Sequence, residues 1–358
     1  MVNEKMRLGV LHGAISNAGD FLIYERGKRL LGIFLKDKFN FTYIKRFKHI
    51  NGNFNGLIIL GGPFFMPKIR HEYQTQNIIE YIKKRDIPVF CMGLGITGGK
   101  FKSETDYFLD NESILFWKYI YETSKLFSVR DKIAYNMLNN YGIKAELTGC
   151  PALFNLEILE KNKVLAKNEK NNKIAVTIPY LSIGPFLSIR PFSSVKSLLL
   201  TLYFLFLLKR KFNKKELGLI FQHGYPNVAT KIMQKIANMI GIKTYDASGK
   251  SLDSFSELRE YDAHIGTRLH SHIFFLSSNK PSFLFNVDMR TEAFLKTIET
   301  PSDKYTISGI RNLVNMLAER IAENNFDEFN NVPNEIRSFY VIMKNFLNKI
   351  DLFYSRGN

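Results

Sequence analysis

The chain is short of cysteine and of acid. Cys91 and Cys150 are its only cysteines in 358 residues. They stand far apart and outside any CxxC pair, which excludes a cysteine zinc site and fits a reducing compartment; each reads as a small buried apolar residue. Asp and Glu number 33 against 50 Lys and Arg, for a formal net charge of +17. Such an excess asks for an anionic partner, and nucleic acid, a phosphorylated metabolite and an acidic lipid headgroup satisfy it equally. No run reaches the ~20 apolar residues that a membrane-spanning helix needs. The opening MVNEKMRLGVLHG passes directly into a short apolar strand with no cleavage pattern, so a cytoplasmic location is expected. Solenoid-period repeats and low-complexity tracts are missing, and so is a D-x-D.

What is present is the beat of an α/β protein. A length of 358 residues with 45% hydrophobic content suits two ordinary domains. Strand-like runs at Arg7 to His12, Phe41 to Phe47, Leu57 to Leu60, Pro88 to Met92 and Leu126 to Val129 alternate with helical patterns, the last stopped by Gly142. The polar, lysine-rich stretch from Leu156 to Asn172 reads as a linker. A second series of strands follows at Lys173 to Ile178, Leu217 to Gln222, Ile242 to Tyr245, Asp262 to Gly266 and Pro281 to Asn286. Helical period then runs from about Ile310 to Phe353. The expected units are an N-terminal Rossmann-like domain over 1–165, a C-terminal one over 173–305 and a helical segment over 306–358.

Ser197 to Leu208, SLLLTLYFLFLL, is almost wholly apolar and is followed by Lys209, Arg210, Lys211, Lys214 and Lys215. Residues 197–215 fit peripheral contact with an anionic membrane, where burial and headgroup attraction add. They fit equally a buried core helix whose last turn is favoured by lysines.

Three turns carry candidate chemistry. After the strand ending at Gly266 come Thr267, Arg268, Leu269 and His270, where a helix N-terminus with an arginine fork would hold a carboxylate or phosphate. Arg130 ends a strand toward the crevice side, and Asp131 can cap the next helix. Without more, Arg268 with a surface carboxylate, His270 in packing, or Arg130 with Asp131 as ordinary surface electrostatics also satisfies these patterns. Near the start, Asn17, Gly19 and Asp20 form a small-residue turn, with Asp20 as a helix cap. Gly93, Gly95 and Gly98 spell GxGxxG, but after a late strand and before a poor helix start, so a crevice loop is the better reading than a dinucleotide site. His264, His270 and His272, spaced by two, do not fall on one helix face, and metal binding is not expected.

The ordered trio of N-x-G-D (Asn17 to Asp20), S-V-R-D (Ser128 to Asp131) and G-T-R-L-H (Gly266 to His270), with K-P following, resembles the polysaccharide pyruvyl transferase family. The resemblance implies a GT-B-like α/β fold, two Rossmann-like domains facing across a cleft, with phosphoenolpyruvate as donor substrate and no separate cofactor. It implies transfer of a pyruvyl group to a sugar of a polysaccharide or lipid-linked precursor, forming a ketal. Arg130, Thr267, Arg268, Leu269 and His270 match donor-binding positions, with Arg268 and His270 the expected catalytic pair. His12, Asn17, Asp20 and His223 are candidates on the acceptor side. The chain departs from the family in Gly61 to Phe65, a loop expected to shape the acceptor site, in Cys150 before Pro151, and in Arg290 where a lysine is usual. A GT-B nucleotide-sugar glycosyltransferase and a noncatalytic basic scaffold at a membrane surface are the alternatives; nucleic acid is not an expected partner.

Overall fold

The structure, a computed structural model, describes residues 5–46, 48–69, 75–99, 107–160, 173–181, 195–222, 228–248 and 255–355. The elements run β1 (Met6–His12), α1 (Ala18–Phe34), β2 (Phe39–Lys45), β3 (Gly56–Phe65), α2 (Thr75–Arg85), β4 (Val89–Ile96), α3 (Asn111–Thr123), β5 (Ser124–Val129), α4 (Lys132–Asn140), β6 (Glu146–Leu147) and α5 (Leu156–Glu160). They continue with β7 (Lys173–Thr177), α6 (Val195–Lys211), β8 (Glu216–Phe221), α7 (Val228–Met239), β9 (Lys243–Asp246), β10 (Ala263–Gly266), α8 (Leu269–Leu276), β11 (Ser282–Asn286), α9 (Met289–Thr297), β12 (Ser302–Lys304), α10 (Ile307–Glu323) and α11 (Val332–Ser355).

Two all-parallel sheets result, ordered β2-β1-β3-β4-β5-β6 and β12-β11-β10-β7-β8-β9. Parallel strands covered by helices on both faces read as unbroken apolar runs. The inner strands β4 and β10 are buried at every position, whereas the edge strands β2, β9 and β12 carry exposed polar residues. The pattern of burial therefore follows lateral position in each sheet. Cys91, on β4, and Cys150 are both buried, and burial pushes the Cys91 thiol up to about 12.

The chain forms two compact units that differ from the expected ranges. The first comprises residues 1–15, 23–154 and 337–358, and the second residues 16–22 and 155–336. The C-terminal helical stretch is thus divided. The later part of α11 belongs to the first unit, where Tyr354 packs on Phe39 and Phe90 and Tyr340 on Phe34 and Phe154. Aromatic pairs of this kind contribute about 0.5–1.5 kcal/mol each beyond their buried area. Helix α10 instead packs on α6 and β12 in the second unit.

Local differences also have physical causes. The expected Gly61 to Phe65 loop is the end of β3, carried past a kink by Gly61 and Gly62 at φ +47° and +93°. The start of the expected linker is α5; residues 161–172 lie outside those described. Gly142 stops α4 as read, in the left-handed region at φ +77°.

Candidate active site

In an open parallel sheet, ligands bind where the chain reverses its lateral direction. In the second unit the chain leaves β7 for β8 and β9 on one side, then returns to the other side for β10, β11 and β12. The reversal lies between β7 and β10. Their register sets Gly266 beside Thr177, and a Cβ at 266 would lie 2.2 Å from Thr177 Oγ1. Past that point Thr267 N–H donates to the Thr177 carbonyl at 3.1 Å, and Arg268 N–H donates to Thr177 Oγ1 at 3.2 Å. These bonds hold Arg268 as the extended cap of α8 and place Leu269 and His270 in its first turn. The N–H groups of that turn have no partner within the helix and favour an anion. The buried Thr267 hydroxyl has no hydrogen-bond partner among the described residues. A pocket beyond the strand ends is lined by Ile178, Pro179, Phe221, Gln222, Thr230 and Arg268.

The turn into α1, with the first residues of that helix, belongs to the same unit. A Cβ on Gly19 would sit 2.0 Å from His270 Nδ1, so this turn is where the imidazole seats. Asn17, rather than Asp20, caps α1: its Oδ1 accepts from Gly19 N–H at 3.0 Å, and its carbonyl accepts from Asp20 N–H at 3.0 Å. Asn17 and Asp20 therefore stand in the unit of Arg268 and His270. Gln222, which the sequence reading passed over, joins the pieces. Its side-chain amide donates to the Ser271 hydroxyl and its carbonyl accepts from Ala18 N–H. Its signal was a polar residue directly after a buried strand.

Behind the site runs a buried polar chain. Thr177 Oγ1 meets His264 Nε2 at 2.8 Å, His264 Nδ1 meets Ser282 Oγ at 2.7 Å, Ser282 Oγ meets His272 Nδ1 at 2.8 Å, and His272 Nε2 meets Thr300 Oγ1 at 3.1 Å. Burial lowers the His264 pKa to about 3 and holds that of His272 well below its ordinary value, so both rings are neutral. The three closely spaced histidines thus divide their work: His264 and His272 support the floor, and His270 faces the turn at Gly19.

In the first unit the reversal lies between β1 and β3. His12 ends β1, and Ala14 N–H donates to its Nδ1 at 3.2 Å, which leaves the ring proton on Nε2. The ring stacks on Tyr24 at 4.2 Å between centroids, and burial followed by Lys45 and Arg46 pulls its pKa down to about 4. Arg46, also unread in the sequence, donates its N–H to the His12 carbonyl at 2.9 Å and lays its guanidinium over Phe64, 5.4 Å from the ring centroid. Its guanidinium also borders Gly13. Nothing near Arg46 in the sequence marks it, because its neighbours come from β1 and β3.

Arg130 is buried in this unit, with 6% of its side chain exposed. Its Nη2 donates to the Ile96 carbonyl at 3.3 Å, its Nε lies 3.6 Å from Asp131 Oδ2, and its Nη1 has no hydrogen-bond partner among the described residues. The surface-pair reading of Arg130 with Asp131 is therefore replaced by a buried pair. Burial raises the Asp131 pKa against the pull of Arg130, and Asp131 caps α4 by accepting from Ala134 N–H at 2.8 Å. The GxGxxG glycines serve this arrangement. Gly93 and Gly95 lie inside β4; a Cβ on Gly95 would fall 2.0 Å from Arg130 Nε, and one on Gly93 2.8 Å from Pro151 Cδ. Arg290 is held by Asp288 at 2.6 Å. His223 lies outside the described residues.

A family model described as polysaccharide pyruvyl transferase matches residues 17–289. The chain belongs to the polysaccharide pyruvyl transferase family. No curated protein matches its sequence. Among solved structures, S. aureus MnaA with UDP is similar with a TM-score of 0.60 at 10% identity, covering 98% of this chain and 97% of that one. UDP-GlcNAc 2-epimerase from Neisseria meningitidis bound to UDP-GlcNAc gives 0.56 at 12%, covering 96% and 100%. UDP-N-acetylglucosamine 2-epimerase from Rickettsia bellii gives 0.54 at 12%, covering 98% and 97%. At such identities the likeness shows the fold alone: this pyruvyl transferase family member shares the GT-B-like pair of Rossmann-like domains. Its three landmark turns each have a physical task here. N-x-G-D seats His270, S-V-R-D buries Arg130, and G-T-R-L-H opens α8 at the sheet's reversal.

Proposed function

We propose that the chain transfers the pyruvyl group of phosphoenolpyruvate to a sugar of a polysaccharide or lipid-linked precursor, forming a pyruvate ketal. The observation that carries this reading is the start of α8. Arg268, the N–H groups of the first helical turn and His270 stand together there at the reversal of the second sheet, as a donor bearing both carboxylate and phosphate requires. Arg130, in the first unit, is proposed as an anion contact on the strength of its buried Nη1, which has no hydrogen-bond partner among the described residues. A planar guanidinium matches either anionic group bidentately.

The proposed reaction begins with a proton delivered from His270 to the methylene carbon, which becomes the methyl group. A sugar hydroxyl attacks the resulting cationic carbon and loses its proton. The carbon–oxygen bond to phosphate then breaks, phosphate leaves with the bonding electrons, and a second hydroxyl closes the ketal with loss of its own proton. Arg268 and the α8 N-terminus stabilise the departing phosphate. An imidazole is suited to the proton transfers because one ring nitrogen can give a proton while the other accepts one. On the acceptor side we propose His12, whose Nε2–H is a fixed donor, together with Arg46 of the same unit.

Incubation with phosphoenolpyruvate and a panel of soluble and lipid-linked sugars tests the reading. The expected result is release of inorganic phosphate matched by the mass gain of a pyruvyl ketal. Release of UDP from a UDP-sugar with no phosphate from phosphoenolpyruvate would replace it by nucleotide-sugar chemistry.

A further inference from the structure

We infer that the outer face formed by α6, α7 and α10 docks the protein on an anionic lipid bilayer. Helices α6 and α7 connect β7 to β8 and β8 to β9, two crossovers in the same lateral direction, so right-handed connections put both on one face of the second sheet. Lys209 Nζ, near the end of α6, donates to the Gly241 carbonyl just past α7 at 3.4 Å, and α10 packs on α6. The three helices form one layer. Beneath it the inner side of α6, with Thr201, Phe204, Leu205 and Leu208, is buried. Its outer side is not polar, as a solvent-facing stripe would be.

Among the described residues, every exposed large apolar side chain of the second unit falls on this layer. Val195, Leu199 and Phe206 stand on α6 at 74%, 58% and 53% exposure, Val228, Ile232 and Met239 on α7 at up to 84%, and Ile307 on α10 at 56%. On α6 and α7 the charges have one sign, and the acids of α10, Glu319 and Glu323, lie in its last two turns. Helix α6 carries Lys196, Lys209, Arg210 and Lys211, and α7 carries Lys231 and Lys235, with no acid on either helix. Apolar side chains entering a bilayer beside cations that reach its headgroups add their contributions. A second copy meeting this face through itself would oppose the same cations, which disfavours a dimer. Among the described residues no helix is long and apolar enough to cross a membrane, so the contact is interfacial.

The test is flotation of the full chain with vesicles of phosphatidylcholine containing phosphatidylglycerol, against phosphatidylcholine alone, without donor or sugar. Because no turnover is read, its outcome is separate from that of the pyruvyl assay. The chain is expected to float with the anionic vesicles only, and less so as salt rises. Two variants should each weaken this at least about tenfold: Leu199→Ser with Phe206→Ser and Met239→Ser, and Arg210→Gln with Lys211→Gln and Lys235→Gln. All these side chains lie on the outer face, so thermal unfolding should stay unchanged, and the charge variant leaves the apolar set intact should the serine variant fold poorly. Absence of vesicle binding, or equal binding by wild type and both variants, overturns the inference. A concentration-dependent dimer lost in the serine variant, without vesicle binding, assigns the face to a second copy instead.

Discussion

His270 occupies the space in which a side chain at position 19 would begin, with its Nδ1 only 2.0 Å from where a Gly19 Cβ would stand. Neither residue can be placed without the other, although 250 residues separate them in sequence. Gly19→Ala should therefore act on the imidazole. Alanine at an early position of α1 is a better helix former by up to about 1 kcal/mol, so unfolding should change little while kcat/KM for pyruvyl transfer falls at least about 100-fold. In a His270→Ala background the same substitution should have almost no further effect. Additive losses in that double-mutant cycle would show that Gly19 acts by another route.

Arg130 is set by Gly95 on one side and Asp131 on the other. Arg130→Ala leaves the Asp131 carboxylate buried without its partner, which typically costs about 3–5 kcal/mol. Adding Asp131→Asn removes that charge and keeps a side chain able to cap α4. The double variant should regain most of the stability in denaturant unfolding and none of the activity. Recovery of activity together with stability would mean that Arg130 is structural only. Arg130→Lys should fail as donor contact too, since an ammonium lacks the bidentate fork.

The sheets were the most legible part of the sequence, because a strand buried on both faces is an uninterrupted apolar run. All ten strand-like runs correspond to strands; the unread β6 and β12 are edge pieces, Glu146–Leu147 and Ser302–Lys304, with too little apolar content to register. The turns after β1, β5 and β10 were legible from their residue types. Gly95 in contact with Arg130, Gly19 with His270, and Arg46 with His12 were not, because each depends on strands brought side by side by the topology. The units were misjudged for a related reason: residues 16–22 and the end of α11 join bodies remote from them in sequence.

Arg46 gives a separable prediction. Its guanidinium lies over Phe64 beside the backbone of Gly13, at the reversal of the first sheet. If that crevice takes the sugar acceptor, Arg46→Gln should raise KM for the acceptor about tenfold or more, the order of one lost charged hydrogen bond. KM for phosphoenolpyruvate should stay near its original value. An effect on the donor KM alone would move Arg46 out of the acceptor site. Phe64→Leu, which removes the aromatic face but keeps the bulk, should show a weaker version of the same split.

The buried chain from Thr177 to Thr300 predicts how the second unit responds to acid. An unfolded imidazole titrates near 6.5, whereas His264 is lowered to about 3 and His272 far below its ordinary value by burial. The native state thus binds fewer protons than the unfolded one. Stability is fully present above the unfolded pKa and is lost as pH falls from there toward the folded values. Each ring contributes a slope of up to about 1.4 kcal/mol per pH unit, so the pair approaches about 2.7. Unfolding in urea between about pH 6 and about pH 5, where few carboxylates titrate, should show this steep fall. His12, lowered to about 4 in the first unit, adds a third such contribution, so His264→Gln should reduce the slope by about a third, even though it lowers stability at neutral pH through the broken bonds to Thr177 and Ser282. In the wild type the ring resonances of His264 and His272 should remain those of neutral imidazole at about pH 5, while an ordinary solvent-exposed histidine titrates. A flat stability profile over that range, or protonation of either ring above it, would remove these two histidines from the floor of the site as neutral supports.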